Sequence, residues 1–319
     1  MDKITLKLNP EFGCELVLAI PYVYWLHQQD KLEGVITSVG MKPFYYFCDN
    51  VEEKFESRTF DIKTNGLNSV PNPWIHHNSK FILGKELSEL SEVEQAKVNG
   101  VLDYSKWTPP LYKDYFQTER FNELKPYIVI NNNFNVEYGN DISKSRRYFN
   151  IKILNDIFNY LTEKDYNIIY KRPNNTEFTP DQNELITLNQ NITLRENTDV
   201  GIIDDYQLCE YYDNVYNIND LVEEDNKSYN EFQLELFSSA SGFITTNGGG
   251  GILCGYFNVP VVMHIPHGKE LRTNYLTNED SYYNKLSDNK LYVVIDPNNQ
   301  SNYTKVMNKI KEVYRGENK

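Results

Sequence analysis

Several things are scarce in this 319-residue sequence, and each shortage excludes a class of protein. Cysteine occurs four times, at Cys14, Cys48, Cys209 and Cys254, widely scattered and with no Cys-x-x-Cys pair. That pattern offers neither a structural zinc site nor a disulfide framework, and it suits free thiols in a reducing compartment. Positive charge is in deficit as well. With 32 Lys and Arg against 45 Asp and Glu, the formal charge is −13. Nucleic acid and anionic membrane surfaces are gripped through a basic footprint, so neither is an expected partner. One phosphate-bearing ligand needs only a local basic pocket and stays allowed. No apolar run reaches the ~18 residues of a membrane-spanning helix. The opening MDKITLKLNPEFG lacks the basic and apolar regions of a signal peptide, so the expected location is cytoplasmic. Four Asn-x-Ser/Thr sequons, at Asn174, Asn191, Asn226 and Asn302, are what chance provides in so Asn-rich a chain.

What is present is material for a core. Hydrophobic residues make up 40%, with 25 Tyr and 16 Phe, and the length suits two domains rather than one. The first 47 residues read strand, helix, strand. Ile4 to Leu8 alternates, Asn9-Pro10-Glu11-Phe12-Gly13 is turn chemistry, and Glu15 to Gln29 carries Leu16, Ile20, Val23 and Leu26 near helical spacing. Gly34 to Thr37 opens the next strand, and Pro43 to Phe47 is a further apolar run. Positions 65–110 break into Pro- and Asn-rich loops with one helical piece, 86–101, and hold Trp74, His76 and His77.

A second beginning follows at Lys125-Pro126, where a β-branched run, Tyr127 to Ile130, reads as a strand after a linker. Arg146 to Thr162 places Leu154, Ile157, Phe158 and Leu161 on one helical stripe. Strands are expected at Asn167 to Tyr170, near Asp199 to Ile203, and at Asn214 to Asn217. Ser228-Tyr229-Asn230-Glu231 fits a capping box and opens a helix to about Ser239. Phe243 to Thr245, Val259 to Met263 and Leu291 to Ile295 complete the strands, and Lys305 to Tyr314 forms a last helix. The expected fold class is α/β in two successive halves, each opening with a strand.

One stretch calls for a specific reason: four consecutive glycines, Gly248 to Gly251, come shortly after an expected strand and before an expected helix. In an open parallel sheet that is where ligands bind, and glycines there expose backbone N–H groups suited to a diphosphate. A tight turn with close helix–sheet packing is the competing explanation. No Lys and no Ser or Thr follows the last glycine, so the loop is no triphosphate-hydrolysing P-loop, and it is no GxGxxG at a first strand.

The wider string SYNEFQLELFSSASGFITTNGGGGILCGYFNVPVVMHIP resembles the C-terminal half of GT-B glycosyltransferases that build surface polysaccharides and glycans. FGCELVLAIPYVYWLHQQDKL is similar to the first loop and helix of their acceptor-side domain. The resemblance implies two Rossmann-like domains facing a cleft. It divides the chain into an acceptor-side domain at 1–124, a nucleotide-sugar donor domain at 125–299, and a terminal segment at 300–319 whose helix packs back toward the N-terminal domain. It implies a nucleotide-diphosphate sugar as donor, a glycan or other hydroxyl acceptor, and no metal; Asp204-Asp205 reads as a turn or helix cap rather than a metal motif. By position, Asn247, Gly248, Gly249, Gly250 and Gly251 would cradle the donor phosphates. Lys171 and Arg172 would neutralise the leaving group. His264, His267, Lys269 and Arg272 are further donor candidates. Glu11 and Glu15, flanking Gly13, are candidates for the base of an inverting reaction, as is His76. Two rival expectations stand beside this one: a nucleotide-sugar 2-epimerase-like enzyme, and a non-catalytic nucleotide- or sugar-binding module of the same fold.

Overall fold

The structure, a computed structural model, describes residues 3–59, 66–67, 69–70, 108–132, 148–172, 196–198, 201–223, 227–265, 286–288, 290–295 and 303–316. The expected helix at 86–101 lies outside them, as do Trp74, His76, His77, His267, Lys269 and Arg272.

The first sheet is parallel and three-stranded, in the order β1 (Ile4–Lys7), β2 (Leu32–Ser38), β3 (Val51–Phe55). Between β1 and β2 the chain makes one α turn, Phe12–Cys14, a π-helical stretch, Glu15–Ala19, and the helix α1, Ile20–Gln28. Pro21 near the start of α1 has no N–H to give and crowds the carbonyl four residues back, which accounts for a widened turn just before it. Leu16, Ile20, Val23 and Leu26 are all buried, as their spacing requires. The Pro43 to Phe47 run is no strand: Lys42–Tyr45 is a 3₁₀ turn that sinks Phe44 and Tyr45 into the core.

The second sheet has six parallel strands in the order β11-β10-β9-β4-β5-β8. These are β4 (Tyr127–Asn131), β5 (Asn167–Lys171), β8 (Val215–Asn217), β9 (Gly242–Thr246), β10 (Val261–Ile265) and β11 (Leu291–Ile295). A small antiparallel pair, β6 (Glu196–Thr198) and β7 (Gly201–Ile203), precedes β8. Helix α2, Ile151–Thr162, joins β4 to β5 and starts where the Asn150 side chain caps Ile153 N, later than the Arg146 read from the stripe. Next come α3 (Asp205–Cys209), α4 (Ile218–Glu223) and α5 (Tyr229–Ser238), the last capped by Ser228. The six-residue α6, Gly249–Cys254, and the closing helix α7, Thr304–Val313, complete the set.

Strands buried on both faces read as unbroken apolar runs, and β4 shows how the alternation divides them. Ile128 and Ile130 face α2 and α7, while Tyr127 and Val129 face the side carrying α5 and α6. That second side does not end at the sheet. Its apolar cluster continues through Phe237, Phe243, Tyr256 and Phe257 into Tyr112, Phe44, Phe12 and the β1–β2 layer. The Tyr256 hydroxyl donates to the Leu16 carbonyl at 2.5 Å, and Asn230 Nδ2 to the Gly40 carbonyl at 2.5 Å.

The closing helix corrects one expectation. Rather than reaching toward the N-terminal layer, α7 lies against β10 and β11 and seats Val306 and Ile310 in the second cluster. Tyr314 fixes it there, its one hydroxyl proton shared between the Phe243 and Pro260 carbonyls at 2.8 Å each. The physical reason is the open face: α2 covers β4 and β5, and β9 to β11 need a second cover for Ile244, Val262 and Val294.

Candidate active site

From β4 the strand order proceeds to β5 and β8 on one side, then returns to β9, β10 and β11 on the other. The reversal lies between β4 and β9, and in an open α/β sheet the crevice outside the carboxyl ends at such a point is where ligands bind. Here β4, β5 and β9 end in polar residues. Asn131 and Asn132 end β4, Lys171 ends β5, Thr245, Thr246 and Asn247 end β9, and His264 stands near the end of β10; all are buried. So many buried polar side chains require an organised hydrogen-bond system.

Asn131 stands in its middle. Its Nδ2 donates to Thr245 Oγ1 at 2.9 Å, and its Oδ1 accepts from Lys171 Nζ at 3.1 Å. One amide thus ties together the ends of three neighbouring strands. Asn132 orients the start of the next segment, accepting from Phe149 N at 2.7 Å and donating to Tyr170 OH at 2.9 Å.

Arg172, paired with Lys171 in the sequence reading, has a different fate. Its Nε lies 2.9 Å from Asp205 Oδ2, and its guanidinium sits over the Tyr206 ring at 4.5 Å. The Tyr170 hydroxyl donates to the same Asp205 oxygen at 2.6 Å. Burial, opposed by Arg172 and Tyr170, holds the Asp205 carboxyl above the ordinary carboxylate value. The Asp204-Asp205 pair therefore splits. Asp204 caps α3 in a capping box with Gln207, and Asp205 is a buried counter-ion for Arg172.

The glycine run is tightly packed by the protein itself. A methyl group at Gly249 would lie 2.7 Å from the Phe12 ring, at Gly250 2.7 Å from Asn131 Nδ2, and at Gly251 2.5 Å from the Thr246 carbonyl. Gly248 has φ +133°, a conformation L side chains avoid. Close approach and backbone shape thus account for all four glycines, and Gly248 and Gly249 remain half-buried at the crevice. The same contacts bring Phe12 and Gly13, and with them the Glu11 loop of the N-terminal layer, onto α6.

Glu11 and Glu15 are sharply different. The half-buried Glu11 carboxylate accepts from Gly13 N at 2.9 Å and Cys14 N at 3.0 Å. Glu15 is fully buried: Thr37 Oγ1 and Tyr45 OH donate to its Oε1 at 2.8 and 2.7 Å, and Arg58 Nη1 to its Oε2 at 2.5 Å. Burial, with Glu15 alongside, pushes the Tyr45 phenol well above its ordinary value, so it stays a donor. His264 stacks on Phe149, with ring centroids 5.8 Å apart, and meets Tyr303 edge-on; its carbonyl accepts from Asn247 N at 3.2 Å.

Lys171, Asn247, Gly248 and Gly249 thus lie at or beside the ends of β5 and β9, with the turn after Glu11 packed on Gly249, while Arg172 and Glu15 are engaged in ion pairs. Asp205 was read only as part of a turn or cap, and Asn131, Asn132 and Thr245 were missed. Their signal was a polar residue closing an apolar strand run, as in YIVINN and FITTN. Among the described residues no three His, Cys, Asp or Glu side chains converge as a metal site would require, and no helix is long and apolar enough to cross a membrane.

No family model matches the chain, and no curated protein matches it in sequence. Solved structures do align with it over nearly its full length. The ADP-heptose LPS heptosyltransferase II of E. coli shares 10% identity at a TM-score of 0.49, covering 98% of this chain and 98% of its own. A family 9 glycosyl transferase of Veillonella parvula shares 10% at 0.48, with 98% and 90% covered. The UDP-GlcNAc 2-epimerase of Methanocaldococcus jannaschii, solved with UDP-GlcNAc and UDP, shares 12% at 0.43, with 99% and 93% covered. The functional reading below rests on the geometry of the crevice.

Proposed function

We propose that the chain is a glycosyltransferase of GT-B architecture, transferring a sugar from a nucleotide-diphosphate sugar to the hydroxyl of a glycan or related acceptor. The acceptor side is residues 1–124 and the donor side 125–299. The observation that carries this reading is the convergence of buried polar side chains, one of them a lysine, on the switch point between β4 and β9.

Lys171 faces the leaving diphosphate, with Asn247 and Gly248 supplying polar and backbone contacts beside it. Glu11 is the base. Its two backbone hydrogen bonds fix the carboxylate and leave acceptor capacity on both oxygens. It takes the acceptor's hydroxyl proton as that oxygen bonds to the anomeric carbon. The bond from that carbon to the diphosphate oxygen breaks, and its electron pair leaves on the diphosphate, where a cation stabilises the growing charge. Glu15 takes no part, since an enclosed carboxylate with three donors offers no approach to an acceptor. Neutralisation by a side chain in place of a metal makes transfer insensitive to a chelator.

The test is the Glu11→Gln variant, assayed for transfer and donor hydrolysis with its nucleotide affinity measured alongside. General-base catalysis is worth about 10²–10⁴-fold, so transfer falls by that order while nucleotide affinity holds. Unchanged transfer refutes the assignment. Saturable nucleotide binding with neither hydrolysis nor transfer by the wild type selects the binding-module reading.

A further inference from the structure

The hydrogen bonds at the switch point have a fixed direction. Thr245 Oγ1 donates its only proton to the Thr246 carbonyl at 3.0 Å, so toward Asn131 it acts as an acceptor. Asn131 must then present its NH₂ to Thr245, at 2.9 Å, and that leaves its carbonyl oxygen turned toward Lys171 Nζ, at 3.1 Å. The order runs from the Lys171 ammonium to the Asn131 oxygen, from the Asn131 amide to Thr245, and from Thr245 to the β9 backbone. Gly250 leaves the amide just the room it needs, since a methyl there would lie 2.7 Å from Nδ2 and 3.0 Å from Oδ1. Asn131 itself is fully buried, and its side chain spans the ends of β5, β4 and β9 at once.

We infer that Asn131 is a positioning residue for anion recognition: its amide, aligned by Thr245 and given room by Gly250, holds the Lys171 ammonium in place for the diphosphate of the donor. A neutral acceptor does this where a carboxylate cannot. Aspartate at 131 would be nearly isosteric, yet it would set a negative charge beside Lys171 and cancel the charge a diphosphate is drawn to. The inference rests on the nucleotide-diphosphate reading given above.

The experiment compares wild type, Asn131→Asp and Thr245→Val by titration calorimetry with UDP, GDP, ADP and dTDP and with each matching nucleoside, alongside thermal melts. A hydrogen bond to a charged group is worth about tenfold or more in affinity. Asn131→Asp is expected to weaken the preferred diphosphate by at least about tenfold and leave its nucleoside within about twofold, the melts serving to confirm that the variant is folded. Thr245→Val, which removes the acceptor that aligns the amide, shifts the same difference in the same direction and serves if the aspartate variant does not fold. Equal loss of diphosphate and nucleoside reveals a merely structural role and overturns the inference, as does undiminished diphosphate binding in both variants. A wild type that binds no diphosphate sinks the underlying reading first, and the inference with it.

Discussion

At the scale of single residues, the two N-terminal glutamates show how burial separates roles that spacing leaves together. Glu15 and Glu11 both flank Gly13, and either could serve as a base on sequence grounds. Only the fold shows Arg58 arriving from beyond β3 to sit 2.5 Å from Glu15, with both side chains wholly enclosed. Breaking a buried ion pair leaves the partner charge stranded and costs about 3–5 kcal/mol. Glu15→Gln should therefore lower unfolding stability by that order in denaturant melts, while the folded fraction keeps its affinity for nucleotide. A stable Glu15→Gln protein with abolished transfer would return the base to Glu15. Arg172 teaches the same lesson: its neighbour Lys171 points into the crevice system, and it is itself committed to Asp205 and the Tyr206 ring.

At the scale of elements, the glycine loop changes meaning once its neighbours are known. Gly249, Gly250 and Gly251 are small because Phe12, Asn131 and the Thr246 carbonyl occupy the space a side chain would need. Gly251→Ala forces a methyl to within 2.5 Å of a backbone oxygen that cannot swing aside. Overpacking of this kind costs about 1–3 kcal/mol, and a thermal melt of Gly251→Ala at or above the wild-type value would contradict the packing. The sequence made most strands legible, since β4, β5, β9 and β10 are unbroken apolar runs that only doubly covered strands tolerate. It also showed the Ser228 cap and the stripes of α2 and α7. It hid β3, whose Val51-Glu52-Glu53-Lys54-Phe55 is polar and largely exposed at a sheet edge, and it misled at Pro43 to Phe47, where burial comes from a 3₁₀ turn. The candidate site was half legible. Glycines and a strand-end lysine stand out in a sequence, whereas Asn131 and Asp205 acquire their roles through partners 114 and 35 residues away.

At the scale of the whole molecule, the two sheets share an apolar core that runs without a break from β1 through Phe44, Tyr112 and Tyr256 to the face of β9. Interfaces that large and apolar bind halves into one cooperative unit, in contrast to the polar contacts of domains that hinge. Unfolding followed by tyrosine fluorescence, far-ultraviolet circular dichroism and calorimetry should show coincident transitions; two separate steps would contradict the shared core. A shared core also means that the Phe12–Gly13 turn is held against Gly249 before any ligand arrives. The direct test of the central claim is a thermal-shift series of the wild type with UDP, GDP, ADP, CMP and dTDP and their sugars. A ligand held only by the native state adds about 2.7 kcal/mol at a hundred times its Kd. The proposed function predicts a saturable rise of several degrees with one base's diphosphate and its sugar, absent in Lys171→Met; no rise with any of them would contradict it.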